Sequence, residues 1–260
     1  MFADILGSTI AYESVGDGPP VVFLHGLGST SNVWSAQRVA LQKTHRAITI
    51  DLPGSGRSSK HERTYSMLRW AEQIDALAAH LNLAPFVLVG HSMTTILAQN
   101  FAARYPSRVR GLVLCGAMTE QTPAMREAFA KRADQVLKEG MLTVADQVLA
   151  GAISAGTRES PSALPGLYRE MLQANDPPSY AAQCRALMEA SAKADQPAIA
   201  CPTLILVGDQ DATTPIANAR AIAAAVQDVR IRVVPATAHL TMAERPEAFN
   251  AALLEFLAAL

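Results

Sequence analysis

Only three cysteines occur in the 260 residues, Cys115, Cys184 and Cys201, an odd number set far apart. They fit no metal-ligand spacing and point to a reducing compartment, and each reads as a small core residue. An excess of one charge is also lacking. Lys and Arg number 22 against 23 Asp and Glu, a net charge of −1, which argues against a nucleic-acid surface. No apolar run approaches the ~20 residues that a membrane helix needs. The first residues, Met1 to Leu6, contain neither a basic n-region nor a long apolar h-region, so they do not read as a signal peptide. Repeats, low-complexity tracts and linkers between independent domains are missing too. The expectation from these absences is a cytoplasmic protein that uses neither membrane nor nucleic acid. What is present is a chain that is 50% hydrophobic and long enough to bury a large core, as one α/β domain or one domain with an insertion.

Strand and helix signals alternate. Strand signals, most of them apolar runs, fall over 8–13, 21–24, 46–50, 86–89, 109–114, 203–207 and 229–234. Helical periodicity falls between them. Leu68, Ala71, Ile74, Leu77, Ala78 and Leu81 share one face, with Thr64 or Ser66 as the cap. Pro215 and Pro246 fit the first turns of two later helices. Unbroken apolar strands are those of a parallel sheet covered on both faces, and the intervening helices supply right-handed crossovers. The predicted fold is therefore a doubly wound, mostly parallel α/β sheet.

The rhythm changes after the strand at 109–114. From 118 to 196 no strand signal occurs, and the segment reads as several helices broken at Gly and Pro. Five of the nine methionines lie there: Met118, Met125, Met141, Met171 and Met188. The expected organisation is a core of 1–117 and 197–260 with a helical cap over 118–196, its methionines offering an adaptable apolar surface to a site below.

Chemistry centres on Gly90, His91, Ser92 and Met93, between an apolar strand and a helical pattern. Strand, tight turn with a central serine, and helix form the context of a nucleophile elbow. Taken alone the motif is weak, because Ser92 also suits a helix N-cap. A serine nucleophile needs a base, and the base an orienting acid. Of six histidines, His45 and His80 read as surface or packing residues and His61 as solvated. His25 reads as a loop-holding residue. His91 adjoins Ser92 on a turn that points the two side chains apart. His239, in a loop after the last strand, is the base candidate. Asp209 and Asp211 both leave a strand end, and chemistry alone does not choose between them.

The order Ser92, Asp, His239 resembles that of the α/β-hydrolases. The resemblance covers nearly the whole chain. Its pieces are Leu24 to Gly28, Asp51 to Ser58, Gly90 to Met93, Gly208 to Asp211 with Pro215, and His239-Leu240 with Glu244 to Phe249. It implies that the acid is Asp211 and that the backbone N–H groups of Leu27 and Met93 form an oxyanion hole. It also implies that 118–196 is the family's cap and that Arg57 and Ser58 sit in a loop near the site, where they are read as structural. Weaker motifs in the cap and at Cys201-Pro202-Thr203 resemble 3-oxoadipate enol-lactonases and related small ester or lactone hydrolases. The implied activity is a serine-dependent hydrolase acting on a small ester, thioester or lactone, with no cofactor and no metal. Carbon–carbon bond hydrolases, perhydrolases, acyltransferases and ligand receptors with little turnover share the same fold. Thr94 and Thr95 stand where the family usually has two glycines. Thr94 is expected to point into the pocket and contact substrate.

Overall fold

The computed structural model describes residues 1–60 and 64–260, so the expectation for His61 lies outside the described residues. β1 (Phe2–Ile5) and β2 (Ser8–Val15) form an antiparallel hairpin. Then follow β3 (Pro20–Leu24), α1 (Ser35–Leu41), β4 (Arg46–Ile50), α2 (Met67–His80), β5 (Phe86–His91), α3 (Met93–Arg104) and β6 (Val109–Cys115). Five helices come next: α4 (Pro123–Glu139), α5 (Leu142–Ala152), α6 (Ala155–Glu159), α7 (Leu164–Gln173) and α8 (Pro177–Glu189). The chain closes with β7 (Thr203–Gly208), α9 (Ile216–Ala225), β8 (Val229–Val234), α10 (Thr241–Glu244) and α11 (Pro246–Ala258).

The strands make one sheet in the order β1-β2-β4-β3-β5-β6-β7-β8. β2 runs antiparallel to β1 and β4, and every later pairing is parallel. Alternation along buried strands sends successive side chains to opposite faces. Val22, Leu24 and Leu88 pack with Trp70, Ile74, Ile96 and Phe101 on one side. Val21, Phe23, Val87 and Val89 pack with Leu41, Phe249 and Leu253 on the other. Helices therefore cover both faces, as the unbroken apolar runs require. β8 is the exception: it alternates exposed and half-buried positions until Val234, as suits an edge strand.

α4 to α8 are inserted between β6 and β7. The two ends of the insertion meet through a bridge between Glu120 and Ser191 and the Ala192 N–H donating to Thr119 O at 2.9 Å. Ala133, Val136, Met141, Val144, Tyr180, Ala181 and Cys184 give it a small core of its own. Pro177 and Pro178 open α8 rather than break a helix, with Asp176 Oδ2 accepting the Ser179 N–H at 3.0 Å. Among the described residues no helix is long and apolar enough to cross a membrane.

Candidate active site

β5 ends at His91 and α3 begins at Met93, which leaves Ser92 alone to turn the chain. Its φ of 55° and ψ of −119° lie where a non-glycine residue costs about 1–3 kcal/mol. The Ser92 N–H donates to Cys115 O at 2.9 Å, and this bond from β6 helps hold the bend. Ser92 makes no side-chain capping bond to α3, so its hydroxyl is not used as a helix cap.

Asp211 lies just beyond β7 and His239 just beyond β8. His239 Nδ1 is 2.8 Å from Asp211 Oδ2. The Thr214 hydroxyl donates to that same Oδ2 at 2.7 Å, and its oxygen lies 3.1 Å from Nδ1. Asp211 Oδ1 accepts the N–H groups of Thr213 and Thr214 at 2.9 and 2.8 Å. Burial pushes the Asp211 carboxyl up, but the charge and hydrogen bond of His239 and the two Thr214 donors outweigh it and hold the carboxyl at about 2. With Nδ1–H facing a carboxylate, Nε2 is left as the ring's acceptor. Asp209 is exposed, and its Oδ1 accepts the Thr237 N–H at 3.2 Å. The structure thus brings Asp211, and not Asp209, to the histidine.

Two residues near this pair escaped the sequence reading. Thr214 is one. Gly116 is the other: a Cβ there would come 2.8 Å from His239 Cε1, and its φ is +57°. Only a residue without a side chain leaves room for the imidazole. A glycine directly after a buried strand was the available signal.

The loop after β3 approaches the elbow closely. A Cβ on Gly26 would lie 3.1 Å from Ser92 Cβ. His25 is fully buried and holds this loop, as expected: Nδ1–H donates to Gly26 O at 2.8 Å, and Nε2 accepts the Leu52 N–H at 3.1 Å. Among the described residues, no acceptor is present for the Leu27 N–H or the Met93 N–H. Asp51 accepts the N–H groups of Ser31 and Arg57, while Ser58 Oγ accepts the Ala11 N–H, so Arg57 and Ser58 serve the loop's structure. His91 is buried, and its Nε2–H donates to His239 O at 3.1 Å. Burial, aided by the neighbouring His239, lowers its pKa to about 3.

Thr94 requires a correction. It was expected in the pocket, but it is fully buried behind the elbow. Its Oγ1 lies 3.0 Å from Leu24 O and 3.0 Å from His91 O, and accepts the His91 N–H at 2.9 Å. The hydroxyl joins β3, β5 and the first turn of α3. The branched side chain is accommodated because its polar atom replaces bonds that the backbone there would otherwise lack.

Ser92, His239, Gly26 and Leu27 line one cavity of about 190 Å³. Its other walls come largely from the inserted helices, through Phe129, Arg132, Val148, Tyr168, Tyr180 and Leu187. Of the five methionines expected to face the site, Met125 alone lines this cavity; Met141 lies in the insertion's own core, and Met171 accepts the Ser29 hydroxyl. Aromatic side chains do the lining instead. A larger groove of about 930 Å³ between α2, α3 and α8 holds none of Ser92, Asp211 and His239.

Glu244, buried in α10, ties the insertion to the histidine loop. Oε1 accepts the Ala238 N–H at 2.7 Å, and Oε2 accepts the Ser154 N–H and the Thr157 hydroxyl at 2.8 and 2.7 Å. On the other side of His239, the Leu240 N–H donates to Ala152 O at 2.9 Å. The backbone is thereby held on both sides of His239, at Ala238 and at Leu240. Nothing in a lone glutamate at 244 signals a partner 90 positions away.

Sheet order, strand–serine–helix elbow and strand-end loops together have the form of an α/β-hydrolase. Residues 19–246 match the family described as alpha/beta hydrolase fold, and the chain belongs to that family. It is 30% identical to a non-heme haloperoxidase of Rhodococcus erythropolis, over 96% of both chains. It is 32% identical to a pimeloyl-[acyl-carrier protein] methyl ester esterase of Chromobacterium violaceum, over 94% of this chain and 96% of that one. The solved enol-lactonase from Burkholderia xenovorans superposes with a TM-score of 0.94 at 26% identity, covering 99% of this chain and 100% of the other. The resemblance expected from the sequence therefore holds, with esterases and enol-lactonases among the relatives.

Proposed function

We propose that the protein is a serine hydrolase that cleaves a small ester, thioester or lactone through an acyl-enzyme. The observation that carries this reading is that His239, paired with Asp211 at 2.8 Å, lines the same cavity as a serine held at φ 55°. In this reading His239 Nε2 takes the Ser92 proton as Oγ attacks the carbonyl carbon. Asp211 keeps the ring in the tautomer that accepts, then stabilises the imidazolium. The Leu27 and Met93 N–H groups receive the oxyanion, and fixed backbone donors need no reorganisation as charge develops. The imidazolium returns its proton to the departing alcohol or thiol. Water, deprotonated by the same Nε2, then releases the acid. In the same reading 118–196 is a cap domain on a core of 1–117 and 197–260, and it closes the acyl pocket.

The test is steady-state and pre-steady-state turnover of p-nitrophenyl acetate and butyrate and of a simple lactone. Turnover with a burst of p-nitrophenol near one equivalent is expected, and it should vanish in Ser92→Ala. Full activity in Ser92→Ala would refute the reading.

A further inference from the structure

The cavity above Ser92 carries an unneutralised positive charge. Among its described lining residues there is no Asp or Glu, and Arg132 on α4 is the only Lys or Arg. The other basic residues of the inserted helices are engaged elsewhere. Arg169 pairs with Asp146, Arg185 with Asp134 and Lys131 with Glu127. Arg158 donates to the carbonyls of Ala150 and Ile153, and Arg126 to that of Gln121. Arg132 has no carboxylate within 4.0 Å among the described residues. Its guanidinium carbon lies 5.2 Å from the centre of the Phe129 ring, a contact that orients the side chain without cancelling its charge.

The surroundings make that charge effective. Arg132 is half-buried, and Phe129, Val148 and Leu187 supply apolar wall beside it. Charges interact more strongly against such walls than in open water. Burial pushes the Tyr168 and Tyr180 phenols up; the charge of Arg132 opposes the push on both, and on Tyr180 a hydrogen bond from Arg132 opposes it as well, so the guanidinium stands beside the aromatic wall of the cavity. A guanidinium fork matches a carboxylate with two parallel N–H···O bonds.

We propose that Arg132 anchors a free carboxylate on the substrate, so that the site takes short esters or lactones that carry a second acid group. This rests on the serine-hydrolase reading above. The cavity, about 190 Å³, is smaller than the ~300 Å³ at the lower end of drug-sized sites, which keeps the acid portion short. Arg132 then sets specificity and takes no part in bond making.

The experiment compares kcat/KM for p-nitrophenyl hydrogen glutarate and p-nitrophenyl valerate in the wild type, Arg132→Gln and Arg132→Lys. The wild type should prefer the charged ester by at least about tenfold, the size of effect expected for a hydrogen-bonded charge. Arg132→Gln should remove that preference, mainly through KM, and Arg132→Lys should retain part of it. Equal loss on both esters, or no preference in the wild type, would overturn the proposal. A second arm needs no turnover: glutarate is titrated calorimetrically into Ser92→Ala, and into Ser92→Ala combined with Arg132→Gln. Binding that depends on Arg132 supports the anchor even if no ester is hydrolysed, an outcome that would sink the hydrolase reading alone. Glutarate binding that ignores Arg132, or no binding at all, would overturn the anchor while leaving the hydrolase reading intact.

Discussion

His239 Nδ1 and Asp211 Oδ2 meet at 2.8 Å across 28 positions of chain, each carried beyond the end of a different strand. Asp209, two residues earlier on the same loop, braces Thr237 instead. Asp211→Asn should therefore lower kcat by about 10⁴, because an amide there supports the wrong imidazole tautomer. Asp209→Asn should change kcat less than about threefold. Steady-state kinetics on one ester decides, and the reverse ranking would show that the wrong carboxylate had been assigned.

Thr94 links β3 to the elbow and does not itself line the cavity. Thr94→Val removes the hydroxyl and strands the buried His91 N–H. A loss of about 1–3 kcal/mol in stability is expected, with kcat/KM ratios among short esters unchanged. Urea melts and a small ester panel measure both. A selective change in substrate preference at full stability would restore Thr94 to the pocket.

Glu244→Gln keeps the shape but places an amide NH₂ where N–H donors already point. Either the Ala238 bond or the Ser154 bond must fail, at about 1–3 kcal/mol. Since these bonds fix the backbone beside His239 and the start of α6 together, stability and kcat should fall in parallel. Hydrogen exchange should quicken at both Ser154 and Ala238. Loss of protection at one end alone would mean that the carboxylate does not couple the two segments.

Acid should destabilise the protein through His91. Its pKa is about 3 when folded against 6.5 for the free side chain, so the unfolded chain holds the extra proton between those values. The contribution is complete above 6.5 and is lost as pH falls toward 3. One proton corresponds to about 1.4 kcal/mol per pH unit. His25, lowered by burial, acts with the same sign, and Asp211, held at about 2, acts below 3.8. Comparing the wild type with His91→Gln isolates the His91 share. From neutral pH down to about pH 4, the wild type should lose roughly 3 kcal/mol more than the variant. Equal slopes would contradict the assignment.

Most of the sheet was legible because buried parallel strands appear as unbroken apolar runs. β1 was not. It is a four-residue edge strand, paired through a turn at Leu6 and Gly7 with φ of 50° and 85°. Leucine gives no hint of a left-handed turn. Ser92 and His239 stood out because a candidate nucleophile and base have few alternatives in a given chain order, whereas Asp211 was separated from Asp209 only by the family resemblance. The supporting residues did not. Gly116, Thr214 and Glu244 act on partners far along the chain, and Thr94 acts on the Leu24 carbonyl, 70 positions away. Such pairings exist only once the sheet order is known. Methionine content also misled, because the inserted helices spend most of those side chains on packing and present aromatic rings to the cavity.

The central claim is that Ser92 is the residue acylated in turnover. Intact and peptide mass spectrometry after treatment with a fluorophosphonate measures this directly. One adduct per chain is expected, on the peptide containing Ser92, absent in Ser92→Ala and greatly slowed in His239→Ala. A label on another residue, or labelling that persists in Ser92→Ala, would contradict it.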